Sequence, residues 1–150
     1  MSTTTTFAEL PSLKGTVLGS SEWFEITQER VNEFARATGD SQWIHVDVDA
    51  ARQGPFGGTI AHGFLTLSLF SALWSQVLTV TDMTMGINYG VNKVRFPAPV
   101  PVGSKVRLTA TLADVAEAGG GLQLTVGGII ERAGGDKPVC VIEALMRYYG

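Results

Sequence analysis

Cysteine, histidine and charge are all scarce in this 150-residue chain. The one cysteine, Cys140, has no partner for an internal disulfide and no second thiol for a thiolate metal centre, so it reads as a small buried hydrophobe. With only His45 and His62, a histidine-built metal site is not expected. Charged residues make up 17% of the chain, with 11 Lys plus Arg against 14 Asp plus Glu and a formal net charge of -3. No basic run offers a phosphate backbone a footprint, which excludes nucleic acid as the expected partner. Little charge beside 45% hydrophobic residues also excludes a disordered chain and leaves apolar surface to face a partner, a homodimer being the expectation. The threonine run from Met1 to Phe7 lacks the basic region and apolar core of a secretory signal, and a cytoplasmic location follows by default.

Residues Thr59 to Thr81 carry no Asp, Glu, Lys or Arg, but Thr66, Ser68, Ser71, Ser75 and Gln76 interrupt the run and basic anchors are missing. A buried soluble helix over Gly63 to Leu78 is predicted rather than a membrane span, covered on nearly every side. Upstream, Thr27 is placed to cap a helix with Glu29 in its first turn and Val31, Phe34, Ala35 and Thr38 on one side, ending at Gly39. Asp40 to His45 then forms a polar and aromatic turn, Asp47 to Arg52 a short helix capped at Asp47 or Asp49, and Gly54 to Gly58 an irregular loop.

After Leu78 the period changes. Val106, Leu108, Ala110 and Leu112 alternate with polar neighbours as in a strand with one buried face, and Leu122 to Ile130, Val139 to Tyr148 and Tyr89 to Phe96 are further strands. Gly119 to Gly121 and Gly134 to Asp136 separate them as hairpin turns, while Pro97, Pro99 and Pro101 cannot sit in a central ladder. Trp74 and Tyr89 are candidate core aromatics. The expectation is one domain over 1–150, α+β, with helices first and an antiparallel sheet afterwards, covered by the Gly63 to Leu78 helix.

Two groups of residues carry chemistry. Asp40 and His45 stand in an Asp-x4-His spacing across a turn, close enough to converge if the backbone folds back. An acid and an imidazole together can hold a water, take its proton and return one to carbon. A helix cap followed by a surface histidine is the plainer alternative. Ile44, Val46 and Trp43 give His45 a partly apolar setting in which charged forms are disfavoured. Further on, Ala61-His62-Gly63 precedes the long helix, whose first amides could accept charge developing on a thioester carbonyl. Gly63 has no side chain to obstruct that approach, although it could equally serve a tight helix start.

The stretch FARATGDSQWIHVDVDAARQGPFGGTIAHGFLTLSLFSALW resembles the MaoC-like dehydratase family, including the (R)-specific enoyl-CoA hydratases and the nodulation-protein-N-like branch. The matching motifs are Gly39, Asp40, His45 and Asp47, then His62 and Gly63, then Arg95, Phe96, Pro99, Val100 and Gly103. The resemblance implies a hotdog fold, an antiparallel sheet wrapped around a long central helix, paired into a homodimer. It further implies reversible hydration of trans-2-enoyl thioesters to (R)-3-hydroxyacyl thioesters without metal or cofactor. An acyl-CoA or acyl-carrier-protein thioester would be the substrate. Asp40 and His45 would activate water, the Gly63 amide would polarise the thioester carbonyl, and Ser71 would support the acidic pair. His62 would fix the loop before the helix, and Arg95 could orient a loop or meet a coenzyme phosphate. The family's Asn-Pro is replaced here by Gln42-Trp43, which keeps an amide for positioning water or substrate but lengthens its reach. A hotdog thioesterase aiming water at C1, and a non-catalytic acyl-thioester binding subunit, are the competing readings. Phe56, Phe64, Leu67, Phe70 and Trp74 could face acyl chain, core or partner, so chain length stays open.

Overall fold

The computed structural model describes residues 1–150. Helix α1 spans Gln28–Thr38, with Thr27 Oγ1 accepting the Arg30 amide at 3.1 Å and Val31 and Ala35 buried. Gly39 ends it in the left-handed region at φ 81°, a conformation that a residue with a Cβ avoids, and so turns the chain toward Asp40. Within the expected polar and aromatic turn lies a single helical turn, α2 (Trp43–Val46), and α3 (Val48–Arg52) follows with Asp47 accepting the Ala50 amide at 3.0 Å.

The long helix is split. Helix α4 covers Gly63–Ser68 and α5 covers Phe70–Val77, joined through Leu69. Its expected all-round burial is not found: Leu65, Thr66, Phe70, Leu73, Trp74 and Val77 are buried, whereas Phe64, Ser68, Ser71, Ala72, Ser75 and Gln76 lie along an exposed stripe. Small hydroxyls and alanine occupy that stripe, which is why the segment reads as uncharged without being enclosed.

Four long strands make the body of the sheet: β5 (Met85–Arg95), β6 (Lys105–Ala118), β7 (Gly121–Arg132) and β8 (Pro138–Tyr149). The expectation of helices first and sheet afterwards is corrected by β2 (Val17–Ser20) and β3 (Phe24–Glu25), which pair antiparallel with β6, and by β1 (Thr3–Thr5), which runs parallel to β4 (Leu78–Val80). The main order is β2-β6-β7-β8-β5. On β6, Val106, Leu108, Ala110 and Leu112 are all fully buried, and each large one contributes roughly 1.5–3 kcal/mol by leaving water. They join Leu73, Trp74 and Val77 in one apolar cluster between helix and sheet, an α+β hotdog arrangement. Trp74 is buried and its indole N–H donates to Tyr148 Oη at 2.7 Å.

Strand β5 begins four residues before its predicted start and forms the sheet edge. Met85, Ile87, Tyr89 and Val91 are all exposed on it. Tyr89 is therefore not a core residue; its ring lies 3.7 Å from the Arg147 guanidinium. Strand β8 lies between β7 and β5, so the open edge with exposed apolar residues belongs to β5.

Candidate active site

The site grows from the junction of α1, α2 and the segment before α4. The His45 amide donates to the Gln42 carbonyl at 3.0 Å, closing the turn that returns the chain toward Asp40. Ile60 is laced to the same turn twice: its amide donates to the Ile44 carbonyl at 3.0 Å, and its carbonyl lies 2.7 Å from His45 Nδ1. A carbonyl only accepts, so Nδ1 carries the proton and the neutral ring keeps its lone pair on Nε2, the atom a general base needs. His45 is buried, yet its edge lines a cleft of about 330 Å³ shared with Phe56, Gly63, Thr66, Phe96 and Val100.

His62 stands behind His45. Its ring stacks on His45 at 3.9 Å between centroids and 24° between planes, and Phe34 packs at 4.8 Å. His62 Nε2 lies 2.9 Å from the backbone carbonyl of Asp40, which fixes the peptide that carries the exposed carboxylate. Asp40, His45 and His62 thus converge, with one donor atom from each within 4.8 Å of the others. The arrangement suits a water held between carboxylate and imidazole.

Gly63 is the first residue of α4, and its amide has no acceptor within the helix. A Cβ placed there would sit 2.9 Å from the Phe96 ring. The glycine is therefore required by close packing against Phe96 as well as offering an unobstructed N–H to the cleft.

Other expected residues fall elsewhere. Gln42 contributes its backbone carbonyl to the α2 turn, and its exposed side chain makes no hydrogen bond within the chain. Ser71 lies about 12 Å along the helix from Gly63 at the ordinary rise per residue, and its hydroxyl accepts from Asn88 Nδ2 at 3.0 Å. It lines a second, largely apolar groove of about 320 Å³ with Leu67, Phe70, Val91 and Ala144. Arg95 sits opposite Val141 on the sheet face turned away from the helix, and its guanidinium donates to the Val94 carbonyl at 2.7 Å. Of the five candidate apolar contacts, Phe70 and Trp74 are buried, Phe56 and Phe64 exposed, and Leu67 faces the groove.

Sequence reasoning missed Gln28. Its Nε2 donates to the His45 carbonyl at 2.8 Å and to Asn32 Oδ1 at 3.0 Å, while its Oε1 accepts Thr59 Oγ1 at 2.6 Å. A polar residue in the first turn of an amphipathic helix gives no sign of this role; only the fold brings Thr59 and His45 to it.

The family model described as MaoC like domain matches residues 9–132. The chain is 54% identical over 149 residues to 3-hydroxyacyl-thioester dehydratase Z of Mycobacterium tuberculosis, covering 99% of both chains. It is 53% identical over 102 residues to nodulation protein N of Rhizobium leguminosarum bv. viciae, covering 67% of this chain and 63% of that protein. Among solved structures, the (R)-hydratase from A. caviae involved in PHA biosynthesis superposes with a TM-score of 0.73 at 26% identity, covering 89% of this chain and 94% of that one.

Proposed function

The chain belongs to the MaoC-like dehydratase family, and we propose that it catalyses the reversible addition of water across the 2,3 bond of trans-2-enoyl thioesters, giving (R)-3-hydroxyacyl thioesters. The observation that carries this reading is the meeting of Asp40 with His45 and His62, at a place where His45 and the start of α4 line one cleft. It is joined by full-length similarity to a protein named for 3-hydroxyacyl-thioester dehydration.

In hydration, the Gly63 amide donates to the thioester oxygen and draws electron density from C3. Asp40 and His45 hold the water; one of its O–H bonds breaks as the C3–O bond forms, and the pair returns a proton to C2. The enolate-like charge that develops between the two events rests on the oxygen facing Gly63, where a preorganised donor lowers the barrier most. Dehydration runs the same steps backward. Acyl-thioester is the substrate class. Coenzyme A and an acyl carrier protein supply the same thioester, and both belong to the proposal as carriers.

The exposed β5 edge and the open stripe of α4 and α5 support a homodimer, since an unpaired apolar strand is the kind of edge that folded proteins cover. No helix is long and apolar enough to cross a membrane. A cytoplasmic location is part of the proposal and is tested by cell fractionation.

The deciding experiment is incubation with crotonyl-CoA followed by product analysis. 3-Hydroxybutyryl-CoA of R configuration is expected. Free coenzyme A would identify a thioesterase, and unchanged substrate a binding subunit.

A further inference from the structure

Two buried side-chain atoms have no hydrogen-bond partner within the protein: His62 Nδ1 and Thr66 Oγ1. They belong to residues one helical turn apart, at the cap and in the first turn of α4, exposed by only 3% and 1%. Their chemistry is complementary. Because His62 Nε2 faces the Asp40 carbonyl, the neutral ring carries its proton there and leaves on Nδ1 a lone pair that needs a donor. Thr66 has a hydroxyl proton to give and lone pairs to fill.

Three other helical hydroxyls are satisfied within their own turn: Thr38 donates to Phe34, Ser68 to Leu65 and Ser75 to Ala72, each at 2.7 Å, while Ser71 meets Asn88. Thr66 does not follow them. Its side chain leans toward the helix start, as Cβ atoms on a helix do, and it lines the cleft that holds His45 and Gly63. Two orphaned polar atoms on one turn, beside a cleft, describe a seat for a single water, which binds where two or more polar groups would otherwise be buried unpaired.

Resting on the hydratase reading above, we infer that Thr66 is a positioning residue that holds, with His62, one buried water. The water donates one hydrogen to His62 Nδ1 and meets the Thr66 hydroxyl with its oxygen or its other hydrogen. The chain from Thr66 through water and imidazole to the Asp40 carbonyl then fixes the His62 tautomer and ring angle. Phe34 and His45 already confine the ring from the sides. What the relay sets is the direction of the Asp40 peptide, and through it the carboxylate; Thr66 itself touches no reacting atom.

Thr66→Val keeps the branched shape and removes the hydroxyl, while Thr66→Ser keeps the hydroxyl. Thr66→Val is expected to lower kcat for crotonyl-CoA hydration about tenfold with KM within about twofold, the size of one lost buried hydrogen bond, and Thr66→Ser to restore most of it. Independently of turnover, ¹⁵N spectra of the imidazoles should show His62 neutral and protonated at Nε2, with its Nδ1 resonance moved by Thr66→Val and not by Thr66→Ser. Wild-type kcat together with unchanged His62 nitrogens in a folded Thr66→Val protein overturns the relay. So does a loss that Thr66→Ser fails to restore, which would mark a packing role, or an effect confined to KM, which would place the hydroxyl on the substrate. A wild-type protein inactive on crotonyl-CoA removes the hydratase reading, while the nitrogen spectra still decide the relay.

Discussion

The imidazoles of His45 and His62 stack 3.9 Å apart, each with one nitrogen against a backbone carbonyl, Ile60 for the first and Asp40 for the second. The two rings therefore divide the work. His45 keeps a free Nε2 beside the cleft, and His62 spends its Nε2–H on the chain that carries the acid.

The sharpest consequence is that Asp40 and His45 act as one unit on one water. Asp40→Asn removes basicity with little change of shape, and His45→Gln removes the imidazole but keeps a polar group. Each should lower hydration turnover by roughly 100-fold or more, within the usual range for acid-base groups. The double variant should lose much less than the product of the single losses, because either change alone disables the pair. Steady-state rates on folded variants, checked by circular dichroism, measure this; near-native turnover by either single variant would remove the assignment.

Gln28 gives a different signature. Gln28→Met has similar length but strips the donor from the His45 carbonyl and the acceptor from Thr59. A stability loss of about 1–3 kcal/mol is expected for the groups left without partners, read from urea denaturation. Turnover should fall as well, with KM little changed, if His45 acts on water as proposed, because the affected carbonyl belongs to that residue and not to a substrate contact. Unchanged stability and rate would show that the network does not hold His45.

Much of this was legible in the sequence, for reasons that differ by element. The cap at Thr27, the stop at Gly39 and the alternation through Val106 to Leu112 are local signals, and all three appear in place. For Asp40 and His45 the spacing alone left a helix cap and a surface histidine open, and the family motif singled them out; the fold brings the two side chains together. Gln28, Thr59 and Ile60 were not legible, since the hydrogen bonds that link them to His45 and to one another join residues 15 to 31 apart in the chain, across contacts that only the completed fold creates. The exposed stripe from Phe64 to Gln76 was misread for a related reason: serine and alanine carry no charge whether they meet solvent, core or partner.

Cys140 provides a pH test. Burial alone pushes its thiol from 9.0 up to about 12, because the thiolate would lose its hydration. A raised folded-state value means that the unfolded chain releases its proton first. The contribution to stability is therefore complete below about pH 9 and is lost as pH rises toward 12. Urea midpoints should decline across that window and decline less in Cys140→Ala once each is normalised to its own value at pH 7. At pH 8 the native thiol should resist a disulfide reagent that reacts at once in denaturant; rapid native labelling would contradict the burial.

The last prediction concerns the sheet edge. Strand β5 carries Met85, Ile87, Tyr89 and Val91 exposed, while its other side pairs with β8 apart from irregularities at Tyr89 and Asn92, so the missing hydrogen bonds and the missing apolar cover lie on the same strand. A second copy running antiparallel along β5 supplies both at once, and it also brings apolar surface over the groove lined by Leu67, Phe70 and Val91. Sedimentation at micromolar concentration should give roughly twice the protomer mass of 16.0 kDa. Ile87→Glu places a charge where the two strands would meet and should shift the equilibrium toward the single chain, whereas Val17→Glu, exposed near the opposite edge on β2, should leave it unchanged. A wild-type protein that sediments as one chain and is fully active would reject the dimer. Dissociation by Val17→Glu with no effect of Ile87→Glu would move the interface to the other side of the sheet.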